Sequence, residues 1–128
     1  MLRDYAKASR SKKKKTDVAA VRIARVLEWI DNYDGDTIKI SQMAKVSGLS
    51  TSSFHRAFWR IVGITPKDYI IRKRIETARI MLKETDTSVI DIAMECGFST
   101  SQYFATVFRR YTGFTPSEYR RRISHKQS

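Results

Sequence analysis

The sequence predicts an all-α fold in which seven helices form two helix-turn-helix subdomains joined by a long central helix. Apolar residues recur at helical spacing, and no stretch of strand length alternates with a period of two. The chain also repeats itself after about 50 residues, which indicates a duplicated unit. Each copy contains a Gly-X-Ser-Thr-Ser motif, a Phe, a second Gly, a Thr-Pro pair and a Tyr. These landmarks are Gly48, Phe58, Gly63, Thr65-Pro66 and Tyr69 in the first copy and Gly97, Phe108, Gly113, Thr115-Pro116 and Tyr119 in the second.

The helices follow from this repeat and from the apolar spacing. They are predicted, in chain order, at residues 17–33, 40–47, 51–62, 66–84, 89–96 and 100–112, with a seventh that starts at Pro116. The first helix is amphipathic through Ile23, Leu27 and Ile30. The central helix at 66–84 has one apolar face, made of Ile71, Ile75, Ala78 and Leu82. The leading glycines are 49 residues apart and the later landmarks 50 apart, so the second copy has one extra residue near its turn.

Glycines and hydroxyl residues mark the helix ends. Gly48 and Gly97 follow the two short helices, at the position where a left-handed residue ends a helix. Ser50 and Ser99 are then predicted to cap the two helices that come next. The remaining predicted caps are Ser88 for the helix from 89, and a capping box of Thr115 with Glu118 for the last helix.

Charge predicts a polyanionic partner. The chain has 25 Lys and Arg against 13 Asp and Glu, a net charge of +12. Half of the excess lies in residues 1–16, which we interpret as a disordered basic arm; a solvated tail that only adds solubility is the alternative. The other predicted domains are a first helix-turn-helix subdomain at 17–63, a linker helix at 64–84, a second helix-turn-helix subdomain at 85–124 and a tail at 125–128.

Several classes of function have no support in the sequence. Cys96 is the only cysteine, which excludes an internal disulfide and a cysteine-rich zinc site, and its place before a turn glycine predicts a buried, inert thiol. HExxH, GxGxxG and P-loop motifs do not occur, so we expect no enzyme, no metal and no cofactor. Neither a membrane span nor a signal peptide is recognisable, so we expect a cytoplasmic protein.

The two longer helices of the repeat each combine an apolar back with a polar front. The backs consist of Phe54, Phe58 and Ile61 in the helix at 51–62, and of Phe104, Phe108 and Tyr111 in the helix at 100–112. The fronts, found by turning about 100° per residue, are Ser52, His55, Arg56, Trp59 and Arg60 in the first helix and Gln102, Thr106 and Arg109 in the second. A recognition helix in the major groove of DNA needs this arrangement.

The chemistry of the fronts suits DNA. Arg56 can bond bidentately to guanine and Gln102 to adenine. The other predicted contacts divide between bases and phosphates. Ser52, Ser101 and Thr106 suit either; Arg60, Arg109 and Arg110 lie later on their helices and suit phosphates, as do Trp59 and the helix starts at Ser50 and Ser99.

Four alternatives stay open at this point. His55 is either a DNA contact or a surface residue, and Trp59 is either exposed or packed beside the turn. Gln102 reads a base or completes a capping box with Ser99. The run Arg120-Arg121-Arg122 contacts phosphate or is a solvated helix end.

The central helix relates the two fronts. About 19 residues at about 1.5 Å each span about 28 Å, close to the roughly 34 Å of one turn of B-DNA. We therefore predict that both recognition helices enter successive major grooves, so that a monomer reads an asymmetric site.

The repeated elements resemble the AraC/XylS family of transcription regulators, and the length resembles its single-domain branch, typified by MarA and SoxS. The resemblance covers about residues 18–123. It is carried by Ala44-Lys-Val-Ser-Gly48, residues 50–58, Gly63-Ile-Thr-Pro66-Lys-Asp-Tyr69, residues 92–98, Phe104, residues 108–111 and Gly113-Phe-Thr-Pro116-Ser-Glu-Tyr119-Arg120.

The resemblance implies binding to promoter DNA in the bacterial nucleoid and activation by contact with RNA polymerase. The family's base-reading positions match Ser52, His55 and Arg56 in the first unit and Ser101, Gln102, Ala105 and Thr106 in the second. Ser52, Ala105 and Thr106 depart from the MarA pattern, so the target sequence does not carry over. The family's sensory domain has no counterpart here, so we expect no small-molecule effector and control through abundance. The alternative is a non-specific nucleoid or RNA-binding basic protein.

Overall fold

The computed structural model describes residues 18–33 and 37–127, with side chains up to Ser124. Within this part of the chain there are seven helices and no strand, which confirms the all-α prediction. The helices are α1 (18–31), α2 (Ile40–Ser47), α3 (Thr51–Val62), α4 (Pro66–Glu84), α5 (Val89–Glu95), α6 (Ser101–Thr112) and α7 (Pro116–Gln127). The predicted arm at 1–16 lies outside the described residues, and α7 continues into the segment predicted as a tail.

The chain divides into two compact units, with the boundary between Lys67 and Asp68. Unit 1 contains α1, α2 and α3, and unit 2 contains α5, α6, α7 and α4 from Asp68 onward. The segment at 64–84, predicted as a linker helix, therefore supplies most of its length to unit 2. The apolar face of this helix explains the division, because that face is buried only when it packs against other helices of the same unit.

The core of unit 1 combines aliphatic residues of α1 and α2 with two rings of α3. Phe54 and Phe58 are fully buried, with ring centroids 5.6 Å apart. On α1 the middle core residue is Val26, fully buried, whereas Leu27, predicted for that place, is half-buried. The three-residue step from Ile23 to Val26 suits the face of α1 as well as the four-residue step does, so spacing alone did not distinguish them.

Unit 2 has one continuous hydrophobic core. The apolar face of α4 was correctly predicted, and it packs with residues of α5 and α6 and with the turn between them. The members are Ile71, Ile75, Ala78, Leu82, Ile92, Ala93, Cys96, Phe98, Phe104, Val107 and Phe108, with Tyr119 of α7 at the edge. Helices α4, α5 and α7 thereby hold α6 in place through its apolar back.

The helix ends confirm most of the predicted caps. The side chains of Ser50 and Ser88 accept hydrogen bonds from the backbone N–H groups of Ser53 and Asp91, at 3.3 Å and 3.1 Å. The capping box is also present: the Glu118 carboxylate accepts from the Thr115 N–H at 2.9 Å, and the Thr115 hydroxyl accepts from the Glu118 N–H at 3.2 Å.

Ser99 is not the cap of α6, and this prediction is wrong. The cap is Thr100, whose hydroxyl accepts from the N–H of Tyr103 at 3.0 Å, and the helix starts at Ser101. The cap follows the turn glycine by two residues in unit 1 (Gly48 to Ser50) and by three in unit 2 (Gly97 to Thr100). The extra residue of the second copy therefore lies in this turn, and aligning the two Ser-Thr-Ser motifs placed the cap one residue early.

Replacing Gly48 with alanine is expected to destabilise unit 1. Gly48 has φ +76°, and a Cβ there would lie 2.5 Å from the Arg22 Nη1 atom, which donates a 2.8 Å hydrogen bond to the Ser47 carbonyl. The left-handed backbone alone costs alanine about 1–2 kcal/mol, and displacing Arg22 adds to this. Urea denaturation of the full chain measures the sum.

Gly63→Ala is the matched control, because Gly63 has φ +91° and no atom within 4 Å of the added Cβ. Gly63→Ala should lower the free energy of unfolding only by the cost of the left-handed backbone. Equal losses for the two variants would mean that the Arg22 bond contributes nothing, and no loss for either would contradict the backbone argument as well.

Candidate nucleic-acid interface

Helix α3 buries its rings and exposes most of its predicted front. Ser52, Arg56 and Arg60 are exposed, His55 is half-buried beside the Phe54 ring, and Trp59 is 62% exposed. The open question about Trp59 is thereby answered, since its indole faces solvent and does not pack beside the turn. The indole is therefore accessible to a binding partner.

Helix α6 has the same organisation with different chemistry. Gln102 and Thr106 are exposed, Ser101 and Ala105 are half-buried, and both arginines of the last turn, Arg109 and Arg110, are exposed. The Thr106 hydroxyl donates a 3.0 Å hydrogen bond to the Gln102 carbonyl. Its oxygen therefore remains available as an acceptor, and its methyl group as an apolar contact.

The apolar back of α6 differs from the prediction at one position. Phe104, Val107 and Phe108 are buried, but Tyr111 is 38% exposed, so its assignment to the core is wrong. Tyr111 lies in the last turn of α6, beyond the part of the helix that the other core residues cover. The guanidinium of Arg72 lies 5.9 Å from the centre of its ring.

The two fronts align at a spacing of 50 residues once the helix starts are matched. Arg56 then corresponds to Thr106, and Trp59 to Arg109. The other pairs are Ser52 with Gln102, His55 with Ala105, and Arg60 with Arg110. Only the last pair is identical, so the duplicated helices present two unlike sets of hydrogen-bonding groups.

Gln102 does not belong to a capping box with Ser99. Because Thr100 caps α6, the residue at the third helical position is Tyr103, and Gln102 is at the second. Ser99 is exposed in the turn before the cap. The capping alternative for Gln102 is therefore removed.

The arginine run of α7 divides into different structural roles. Arg120 donates from Nε to the Leu82 carbonyl at 3.1 Å and from Nη2 to the Thr85 carbonyl at 3.2 Å, so it binds the C-terminal end of α4. Arg122 lies over the Phe114 ring at 4.4 Å. The sequence had predicted either a phosphate contact or a solvated helix end, and Arg120 is neither. Three consecutive arginines cannot be distinguished by sequence, because only the fold determines which group each one contacts.

Metal binding and membrane insertion are two other properties that the described residues address. No group of three or more His, Cys, Asp and Glu that could hold a metal ion occurs among them. In the same part of the chain, no helix combines the length and apolar character that crossing a membrane requires. Cys96 is buried, as predicted, and burial raises the pKa of its thiol to about 11; Glu95 adds to the shift and Arg74 opposes it.

Cys96 is expected to resist thiol reagents in the folded protein. At pH 8 a thiol with this pKa is ionised in about one molecule in a thousand, and only the thiolate attacks. Labelling with an aromatic disulfide should be slow at pH 8 and should accelerate about tenfold per pH unit up to pH 10. The same measurement in urea is the control, and equal rates with and without urea would contradict the burial argument.

Comparison with known proteins gives consistent matches. A family model described as a helix-turn-helix domain matches residues 43–122. The transcriptional activator RhaS of Enterobacter sp. (strain 638) is 36% identical over 99 residues, which are 77% of this chain and 36% of that protein. RhaS of Escherichia coli (strain K12 / DH10B) is 35% identical over 102 residues, 80% of this chain and 37% of that protein. The chain thus spans a little over a third of the length of these relatives.

Solved structures match over most of their own length. The DNA-binding domain of AdpA, a global transcriptional factor crystallised with a target DNA, is 27% identical with a TM-score of 0.75, covering 81% of this chain and 94% of that one. A probable AraC family regulator from Rhodopseudomonas palustris is 31% identical with a TM-score of 0.72, covering 80% of this chain and 96% of that one.

Proposed function

Because the chain belongs to the AraC-type helix-turn-helix family of transcription regulators, we propose that it binds a specific, asymmetric double-stranded DNA sequence through α3 and α6. One observation carries the proposal. Each helix is anchored by buried rings and exposes a front of hydrogen-bonding groups, and the two fronts differ. The AdpA structure, which contains target DNA, is a relative with this fold.

The base-reading residues are proposed to act as their chemistry allows. Arg56 donates a bidentate pair to guanine, and Gln102 pairs with adenine. Thr106 accepts from an exocyclic amine or contacts a thymine methyl group. The remaining proposed base contacts, all on the same fronts, are Ser52, His55, Ser101 and Ala105.

The phosphate contacts are proposed for the edges of the same fronts. Arg60, Arg109 and Arg110 supply charge, and the Trp59 indole N–H supplies a neutral donor. Ser50 caps α3, and Ser99 lies in the turn just before the Thr100 cap of α6; their exposed hydroxyls and the nearby backbone N–H groups suit a phosphate. One copy of the chain carries both reading helices, so we propose that it binds as a monomer in two successive major grooves.

Selection of bound duplexes from a random library tests the function directly. A specific regulator should enrich one asymmetric sequence, and that duplex should bind at least about 1,000-fold more tightly than a random one at the same salt concentration. A non-specific nucleoid or RNA-binding protein would enrich none and would show a ratio near one, which would overturn the proposal.

We further propose that the bound protein activates transcription by contact with RNA polymerase through α5. Ile90 and Met94 are 62% and 57% exposed, one helical turn apart, and the exposed Asp91 and Glu95 flank them. Residues 84–98 contain four acidic and no basic residues in a chain of net charge +12. This acidic face repels phosphates and complements a basic protein surface.

The double substitution Asp91→Asn with Glu95→Gln is expected to reduce activation without weakening DNA binding. Each lost exposed ion pair is worth up to about 1 kcal/mol, which predicts roughly a five- to tenfold drop in promoter transcription with purified polymerase. Glu28→Gln, an exposed acid on α1, is the matched control and should change neither quantity. Activation that survives the double substitution would remove α5 as the contact.

A further inference from the structure

Arg74 on α4 has a counterpart in unit 1, Arg22 on α1, whose hydrogen bond the structure shows. A shift of 52 residues takes Ile23, Val26 and Ile30, buried on α1, to Ile75, Ala78 and Leu82, buried on α4. The helix before each helix-turn-helix pair is therefore part of the duplication, and the same shift takes Arg22 to Arg74. Arg22 donates to the carbonyl of Ser47, at the end of α2.

Arg74 occupies the position on α4 that corresponds to Arg22 on α1. Within the described residues, however, it donates no such hydrogen bond to the end of α5. It is half-buried beside Cys96, which ends α5, and no hydrogen bond or ion pair engages its guanidinium within the described residues. Burial lowers the pKa of Arg74, and no carboxylate is among the groups that raise it. A half-buried guanidinium without a carboxylate partner favours an anion supplied from outside the chain.

Four other arginines of α4 and α7 contrast with Arg74. Arg79 donates to the Tyr119 hydroxyl at 3.1 Å and pairs with Glu76 at 3.3 Å. Arg72 and Arg122 lie over aromatic rings, and Arg120 binds carbonyls. These four guanidinium groups have partners within the unit, whereas that of Arg74 makes no hydrogen bond to the part of the unit that the structure describes.

Tyr103 lies in the first turn of α6, next to the turn that joins α5 to α6. Its ring meets the buried Phe98 ring edge-on at 6.0 Å, and its backbone N–H is held by the Thr100 cap, so the residue is fixed at both ends. The side chain is nevertheless 41% exposed, and its phenolate, when ionised, raises the pKa of Arg74. Gln102, the proposed adenine reader, is the preceding residue.

We propose that Arg74 and Tyr103 form a phosphate-binding pair that anchors the DNA backbone next to the base read by Gln102. The guanidinium supplies charge and a fork of N–H donors, and the phenol supplies a third donor. The α5–α6 turn suits this task, since the N-terminal end of a recognition helix is the part nearest the DNA. The pair rests on the proposed function and extends the interface from α6 to α4.

Binding of the selected duplex and of a random duplex, measured by fluorescence anisotropy between about 50 and 200 mM salt, tests the pair. Arg74→Gln should weaken both duplexes about tenfold and flatten the slope of log K against log salt by about 0.9. Tyr103→Phe should weaken both about fivefold with the slope unchanged, since it removes a neutral donor. Arg79→Gln is the matched control, because it removes the same charge from the same helix at a group that already has partners.

The outcomes separate the pair from the function. If Arg74→Gln and Tyr103→Phe leave affinity and slope unchanged while the wild type still prefers the selected duplex, the pair is wrong and the proposed function stands. If Arg74→Gln lowers the melting temperature and Tyr103→Phe binds normally, Arg74 is a turn clamp like Arg22 and the pair is again wrong. If Arg79→Gln flattens the slope as much as Arg74→Gln, the effect is general charge loss. A wild type that prefers no sequence refutes the function itself.

Discussion

Replacing Phe104 with alanine is expected to lower the free energy of unfolding of unit 2 by about 3–5 kcal/mol. Phe104 is fully buried, and its ring lies 4.9 Å from that of Phe98 and 5.5 Å from that of Phe108. Truncation leaves a cavity that three helices and a turn surround, and rigid neighbours close such a cavity only in part. Urea denaturation followed by circular dichroism measures the loss.

Tyr111→Ala is the matched control on the same helix. Tyr111 is 38% exposed and lies beyond the core, so its loss should cost less than about 1 kcal/mol. If Tyr111→Ala lowered the free energy of unfolding as much as Phe104→Ala does, Tyr111 would belong to the core, which would contradict the structure. A Phe104 variant that keeps the wild-type stability would show that α6 is not held by its apolar back.

Arg56→Ala is expected to cost about 1–3 kcal/mol in binding the selected duplex and to relax the preference at one base pair. Arg56 is exposed on the front of α3, opposite the fully buried Phe54 and Phe58, so removing it leaves the packing of the helix intact. Competition with duplexes that carry each of the four base pairs at the affected position measures the change. The melting temperature should stay at the wild-type value.

Arg60→Ala, in the last turn of the same helix, provides the comparison. As a phosphate contact it should weaken all duplexes alike and reduce the salt slope by about 0.9. The assignment of roles fails if Arg56→Ala weakens every duplex equally, or if Arg60→Ala changes which base pair is preferred.

Most of the fold was predictable because its determinants are local. Gly48 and Gly97 stop helices by adopting left-handed backbone, and Ser50, Ser88 and Thr115 cap helices within three residues of themselves. A helical period relates each front to its back without reference to the rest of the chain. The exposure of Ser52, Arg56, Gln102 and Thr106 therefore agrees with the sequence prediction, while their contacts with DNA stay proposals.

What the sequence determined by itself is the set of seven helices, most of their caps and most of the apolar face that each must bury, since these depend on neighbours within about four positions. The tertiary structure alone decided which residues meet across long separations. It placed the extra residue before Thr100, left Tyr111 outside the core and directed Arg120 to the end of α4. It also left the Arg74 guanidinium without a hydrogen bond to any described residue. The physical reason is that packing and hydrogen bonding between helices depend on distances that no periodicity of the chain encodes.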